Sequence, residues 1–214
     1  MRPPEHSPER DAALEALLPN VPFDGWTRTA LRNSLAAAGE SPDDADHLFP
    51  GGAAEMIEAW CDLADRRMAE AAGPLGLSEL RVPERVRALI ALRLEQARPH
   101  KEAVRRALAL LSLPQNALRA ARITARTADA IWRAAGDTAT DLSRHTKRAT
   151  LAAIYSATLL AWLRDRSEDD AATLAFLDRR LAGIGRIGGM RRQVEALAAR
   201  LPFPRRPFSR REHA

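Results

Sequence analysis

The sequence predicts an all-α protein, a bundle of about nine to ten helices with a C-terminal amphipathic helix. Three observations carry this. Alanine, leucine and arginine dominate and β-branched residues are few, which favours helix. Apolar residues recur at helical spacing along most of the chain, and no period-two alternation is sustained anywhere, so no sheet is expected. A length of 214 residues suits one sizeable core, and 46% hydrophobic with 29% charged residues fits a globular protein.

Residues 1–10 are polar and Pro-rich and are expected to be disordered. From Asp11 to Leu18 a short helical pattern runs into Pro19 and Asn20, and Val21 to Gly25 reads as a loop. Trp26, Ala30, Leu31, Leu35 and Ala38 then share a helical face, with Gly39 as its C-cap. Glu40 to Asp46 is an acidic connection. Pro50-Gly51-Gly52 opens a helix reaching about Ala72, whose stripe is Met56, Ile57, Trp60, Leu63, Ala64 and Met68.

Gly73, Pro74 and Gly76 end that helix. Further helices are expected over Pro83–Ala97 and Lys101–Leu111, separated by Arg98-Pro99, then a short one from Pro114 and a longer one from Arg119 to Ala135. Gly136-Asp137 punctuates the chain, and Asp137 or Thr138 is available to cap a long helix reaching Arg164. The second half of that helix is apolar nearly all round, which places it in the middle of the bundle. Ala171 to Leu181 forms one more helix. The expected organisation is a helical domain over 11–182, a Gly-rich hinge over 183–189, an amphipathic helix over 190–201 and a basic tail over 202–214.

Charge is uneven. Residues 186–214 hold eight arginines against Glu195 and Glu212, an excess of +6, whereas the whole chain carries +5. The C-terminal face of Met190, Val194, Leu197, Ala198 and Leu201 is flanked by Arg191, Arg192 and Arg200. Phe203 and Phe208 follow among Arg205, Arg206, Arg210 and Arg211. Such a basic amphipathic segment suits an anionic membrane surface; a solvated tail behind a helix packed on the bundle is the alternative.

The longest uncharged apolar run, Ala149 to Leu163, falls short of the roughly 20 residues that span a bilayer. The N-terminus has no apolar signal core and is acidic, so the mature protein is expected to start there. The lone Cys61 makes no internal disulfide and reads as core.

Motifs for chemistry are weak. Gly183-Ile184-Gly185-Arg186-Ile187-Gly188 matches a dinucleotide-binding pattern, but a helix rather than a strand precedes it. Asp44-x-x-His47 offers two metal ligands without the second copy that di-iron bundles use. The histidines at 6, 47, 100, 145 and 213 stand in no nucleophile, triad or metal motif. No catalytic residue, metal or cofactor is expected.

One stretch is specific: Gly136-Asp137-Thr138-Ala139-Thr140-Asp141, then Thr146-Lys147-Arg148-Ala149-Thr150-Leu151-Ala152-Ala153-Ile154-Tyr155-Ser156-Ala157-Thr158. In order around it stand Val21 to Thr27, Phe49-Pro50-Gly51, Asp129-Ala130-Ile131-Trp132 and Phe176 to Arg180. From about Leu14 to Leu181 the chain resembles the Coq-nine family, lipid-binding accessory proteins of ubiquinone biosynthesis with a fold like TetR regulators.

The resemblance implies a homodimer with a cavity for isoprenoid quinone lipid, presenting quinone intermediates to a membrane-associated hydroxylase without catalysing a reaction. The apolar load at Trp132, Leu151, Ile154, Tyr155, Leu159 and Trp162 fits such a cavity, joined by Leu108, Leu111 and Thr158; a closed core is the alternative. Partner docking maps to Asp129, Ile131, Trp132, Asp137, Asp141 and Arg144. Leu142-Ser143-Arg144-His145 stands where the family has Phe-Asn-Trp-Tyr, so a cation replaces an exposed aromatic anchor, which calls for a compensating change in the partner. Helix capping is the other reading of Asp137 and Asp141. Arginine bias points to a GC-rich bacterial genome, and the expected location is cytoplasmic, peripheral on the inner face of the cytoplasmic membrane through residues 190–214.

The competing function is a TetR-type DNA-binding regulator. A recognition helix needs donors for phosphates and base edges, and Glu40-Ser41-Pro42-Asp43-Asp44-Ala45-Asp46 presents carboxylates instead.

Overall fold

A computed structural model describes residues 4–137 and 143–183, with side chains in the second stretch from Thr146 onward. All regular structure among them is helical. Helix α1 spans Pro8–Leu17, with Ser7 accepting from the Arg10 amide at 3.3 Å and Pro8 in the first turn. It starts three residues before the apolar pattern does. The cap sets its start, and Arg10 holds it: the guanidinium pairs with Glu55 at 2.8 Å and lies 4.4 Å from the Phe49 ring centroid.

Val21–Asp24, expected as loop, is a single turn, α2. It delivers Trp26, whose indole N–H donates to the Ala103 carbonyl at 3.1 Å and whose ring lies 5.2 Å from that of Trp60. Helix α3, Arg28–Ala37, is capped by Thr27 and closed by Gly39 at φ +83°, the C-cap its sequence indicates. The acidic connection contains a short helix, α4 (Asp44–Leu48). Helix α5 (Ala53–Ala72) follows Gly52.

Then come α6 (Val82–Ala97), α7 (Lys101–Leu111), α8 (Ala117–Ala134), α9 (Ser143–Arg164) and a helix over 171–183, α10. Helix α8 is closed by Gly136 at φ +81°, and the Asp137 amide donates back to the Trp132 carbonyl at 3.0 Å. Asp137 thus belongs to the close of α8; α9 is described from Ser143, and Thr138 lies outside the described residues.

Helices α5, α8 and α9 pack side by side at the centre, with α1 and α6 against α5, and α3 against α1. The core runs from Leu14 and Leu17 through Met56, Ile57, Leu89 and Ile90 to Ile131, Trp162 and Leu177, all fully buried. Each such side chain contributes about 1.5–3 kcal/mol of transfer free energy. Asp165 folds α10 back: its carboxylate accepts from the amides and hydroxyls of Ser167 and Thr173 at 2.6–2.8 Å. Partial burial works against that anion, and these four hydrogen bonds outweigh it, holding the carboxyl well below the usual range.

Leu151, Ile154 and Trp162 of α9 are buried and Leu159 packs against the core, as expected of the middle of the bundle, while Leu160 is 55% exposed. No helix among the described residues is long and apolar enough to cross a membrane. The hinge over 183–189, beyond Gly183, and the segments over 190–201 and 202–214 lie outside the described residues.

Candidate functional site

A cavity of about 290 Å³ lies between α5, α6, α7, α8 and α9, walled by Val104, Ala107, Leu108 and Leu111 from α7, Ala120 and Ile123 from α8, and Leu159 and Leu160 from α9. It exists because small residues face it: Ala97, Ala107 and Ala120 stand where larger side chains would close the bundle.

A buried ion pair borders it. Arg93 of α6, its side chain 7% exposed, donates from Nε to Asp65 Oδ1 of α5 at 3.1 Å. Asp65 Oδ2 accepts from the Thr127 hydroxyl of α8 at 2.8 Å, and Arg93 Nη2 reaches the Cys61 carbonyl at 3.5 Å. Burial pushes the Asp65 carboxyl up, while the Arg93 cation and the Thr127 hydroxyl pull it back. Cys61 and Tyr155 line the cavity too, and burial pushes each of them up to about 12, so both stay protonated at neutral pH.

The expected lipid residues divide. Leu108, Leu111, Tyr155 and Leu159 face the cavity. Leu151, Ile154 and Trp162 pack in the core instead, and Thr158 is buried with its hydroxyl donating to the Ile154 carbonyl at 2.8 Å. Lys101 lies 4.8 Å from the Trp162 ring centroid. Trp132 is half-buried with Lys147 5.9 Å from its ring centroid, on another side of α8. Helical periodicity groups these residues on one element; only the neighbouring helices decide which side is hollow.

Among the docking residues, Ile131 is fully buried and belongs to the core, so it offers nothing to a partner. Asp129 pairs with Arg148 and, at 3.3 Å, with Arg133; Asp137 lies 3.4 Å from Lys147. Asp141 and the Arg144 side chain lie outside the described residues. So do Met190, Arg191, Arg192, Val194, Leu197, Leu201, Phe203, Arg205, Arg206 and Phe208.

Arg93, Asp65, Thr127, Trp60 and Cys61 were not foreseen as site residues. The signal for the first existed: Val86, Leu89, Ile90, Arg93, Leu94 and Ala97 form one stripe, and a cation within an apolar stripe requires a buried partner.

The position of a recognition helix is taken by α4, only five residues, Asp-Ala-Asp-His-Leu. Asp46 there pairs with both Arg28, at 3.0 Å, and Arg32 of α3, so the nearest cations are already neutralised. The His47 ring nitrogen sits 3.3 Å from the Asp43 carbonyl, within its own turn. Among the described residues no three His, Cys, Asp or Glu side chains cluster for a metal.

Residues 117–188 match the COQ9 family. The chain is 32% identical over 190 residues to the rat (Rattus norvegicus) protein named ubiquinone biosynthesis protein COQ9, mitochondrial, covering 86% of this chain and 61% of that one. It is 31% identical to the human (Homo sapiens) protein of the same name, covering 86% and 59%. The match to the Schizosaccharomyces pombe protein is 30% over 181 residues, covering 85% and 72%. The chain spans about three fifths of the length of the rat and human relatives.

A crystal structure of a TetR transcriptional regulator from Nitrosomonas europaea superposes with a TM-score of 0.66 at 27% identity, over 82% of this chain and 97% of that one. The fold is therefore TetR-like. The curated relatives are named mitochondrial, which overturns the expectation of a cytoplasmic protein on the inner face of the cytoplasmic membrane. With the specific Gly136–Thr158 stretch falling inside the matched segment and the S. pombe relative covered over most of its length, the chain belongs to the COQ9 family.

Proposed function

We propose that this chain is a non-catalytic accessory protein of ubiquinone biosynthesis that binds a polyprenylated quinone precursor and presents it to a ring hydroxylase. The observation that carries the reading is the apolar cavity of about 290 Å³ between α5 and α9, in a chain whose relatives are named ubiquinone biosynthesis proteins. A homodimer is part of the proposal, and so is contact with an anionic bilayer through the basic stretch after Met190.

The direct test is lipid extraction of the purified protein followed by mass spectrometry. An isoprenoid quinone precursor enriched over a control protein of similar size is expected. Recovery of no isoprenoid above that control sinks the proposal.

The likeness to a TetR transcriptional regulator supports a second reading, DNA binding. Two features weigh against it, the acidic five-residue α4 and the pairing of Arg28 and Arg32 with Asp46. Retardation of the protein's own upstream DNA at low salt, lost as salt rises, would restore it.

A further inference from the structure

A wide cleft of about 640 Å³ opens where the start of α7 meets the end of α9, and it shares only Leu160 with the apolar cavity. Lys101 and Arg105 line it from α7, and Leu163, Arg164, Asp165 and Arg166 from α9 and the turn after it. The lining therefore holds four cations and one carboxylate.

Helical spacing alone would not bring Arg164 and Arg166 together, since residues two apart on a helix do not face each other. The chain leaves the helix between them. The Asp165 amide donates to the Trp162 carbonyl at 3.1 Å, three residues back, and the Asp165 carboxylate is held by Ser167 and Thr173. That turn returns Arg166 to the cleft that Arg164 lines. Both arginines are exposed, and among the described residues neither forms an ion pair or a side-chain hydrogen bond.

A helix C-terminus ordinarily repels anions, because its last carbonyls carry partial negative charge. Here those carbonyls are covered. Arg105 Nη2 donates to the Leu163 carbonyl at 2.8 Å, and Lys101 Nζ to the Asp165 carbonyl at 3.0 Å. Lys101 and Arg105 also face carboxylates, Asp170 at 3.8 Å and Glu102, so their charge is balanced within the protein. The charge left over in the cleft is that of Arg164 and Arg166, each a planar fork of N–H donors.

Exposure selects the class of ligand. One ion pair in reach of solvent is worth little, so a monoanion gains little from either arginine. A phosphate monoester carries nearly two negative charges at neutral pH and three strong acceptor oxygens, so it can engage both forks at once. We infer that the cleft between α7 and α9 binds a phosphate group between Arg164 and Arg166, with Lys101 and Arg105 shielding the helix end from it. The site is independent of what fills the apolar cavity.

The test is a titration of the isotope-labelled full chain with inorganic phosphate at neutral pH and constant ionic strength, followed by NMR. The backbone amide signals of Leu163 and Ser167 are expected to shift saturably, and they report the cleft rather than the arginines after Met190. Arg164→Gln/Arg166→Gln is expected to weaken that response at least about tenfold, the loss of one charge-assisted hydrogen bond. Arg179→Gln/Arg180→Gln, which removes the same charge from α10, is expected to leave it unchanged. No saturable shift in the wild type, an unchanged response in Arg164→Gln/Arg166→Gln, or an equal loss in the α10 variant overturns the site. With the phosphate response established, flotation with phosphatidylcholine vesicles containing phosphatidic acid separates its sources. Weaker flotation of Arg164→Gln/Arg166→Gln than of the α10 variant assigns the phosphate to a lipid head group, and equal flotation assigns it to a soluble phosphate ester.

Discussion

Breaking the Arg93–Asp65 pair will cost more than any exposed pair in this protein, and removing both partners will cost little. The two side chains are 7% and 9% exposed, so solvent barely screens them. Arg93→Met leaves the Asp65 carboxylate buried with the Thr127 hydroxyl as its remaining side-chain hydrogen-bond donor; Asp65→Leu leaves a guanidinium buried against the Cys61 carbonyl. Single losses of this kind cost about 3–5 kcal/mol, out of a total stability of roughly 5–15 kcal/mol.

At about 2–4 °C per kcal/mol for a chain of this size, each single variant melts roughly 6–20 °C lower. The double variant replaces an ion pair with hydrophobic volume, and such exchanges are neutral or stabilising by about 1–4 kcal/mol. Urea denaturation of the four proteins at pH 7 measures the cycle, and the coupling energy is the difference between the double loss and the summed single losses. Singles within about 1 kcal/mol of wild type, or a double variant that loses the sum of both, would refute the view that these charges are buried and coupled.

Three further outcomes are expected. Cys61, with its thiol pushed up to about 12 by burial, alkylates with iodoacetamide at pH 8 at least about a hundredfold more slowly in the native protein than in urea, and equal rates contradict its placement in the cavity wall. Asp165→Ala removes the cap that folds α10 back, costing about 1–2 kcal/mol. Because the folded carboxyl is depressed, that contribution is full above the ordinary carboxylate range and disappears only as pH falls through the lower folded value. The melting difference from wild type should therefore be as large at pH 5 as at pH 7. Deleting residues 190–214 abolishes flotation with anionic liposomes and leaves the melting temperature unchanged, and persistent flotation excludes that stretch as the membrane contact.

Some of the site was readable in the sequence and some was not, for reasons that differ residue by residue. Leu108, Leu111, Tyr155 and Leu159 were readable as apolar positions facing other helices. Leu151, Ile154 and Trp162 carry the same signal and pack solidly, because one-dimensional periodicity states that a face is covered and not what covers it. Ile131 adjoins a family docking motif, yet it turns inward. Arg93 and Asp65 sit in different helices 28 residues apart, and nothing local pairs them.

The sequence by itself determined the long helices and their order, since hydrophobic spacing and the glycines Gly39 and Gly136 act within a few residues of one another. It also determined the acidic character of Glu40–Asp46 and the family, through the long ordered match around Gly136–Thr158. Only the tertiary structure decided that the bundle is hollow beside α7, because a void is left by several alanines on different helices that no single stretch brings together. It alone decided that a buried ion pair, Arg93 with Asp65, borders that void, since a buried cation is tolerated only where a distant carboxylate arrives to meet it.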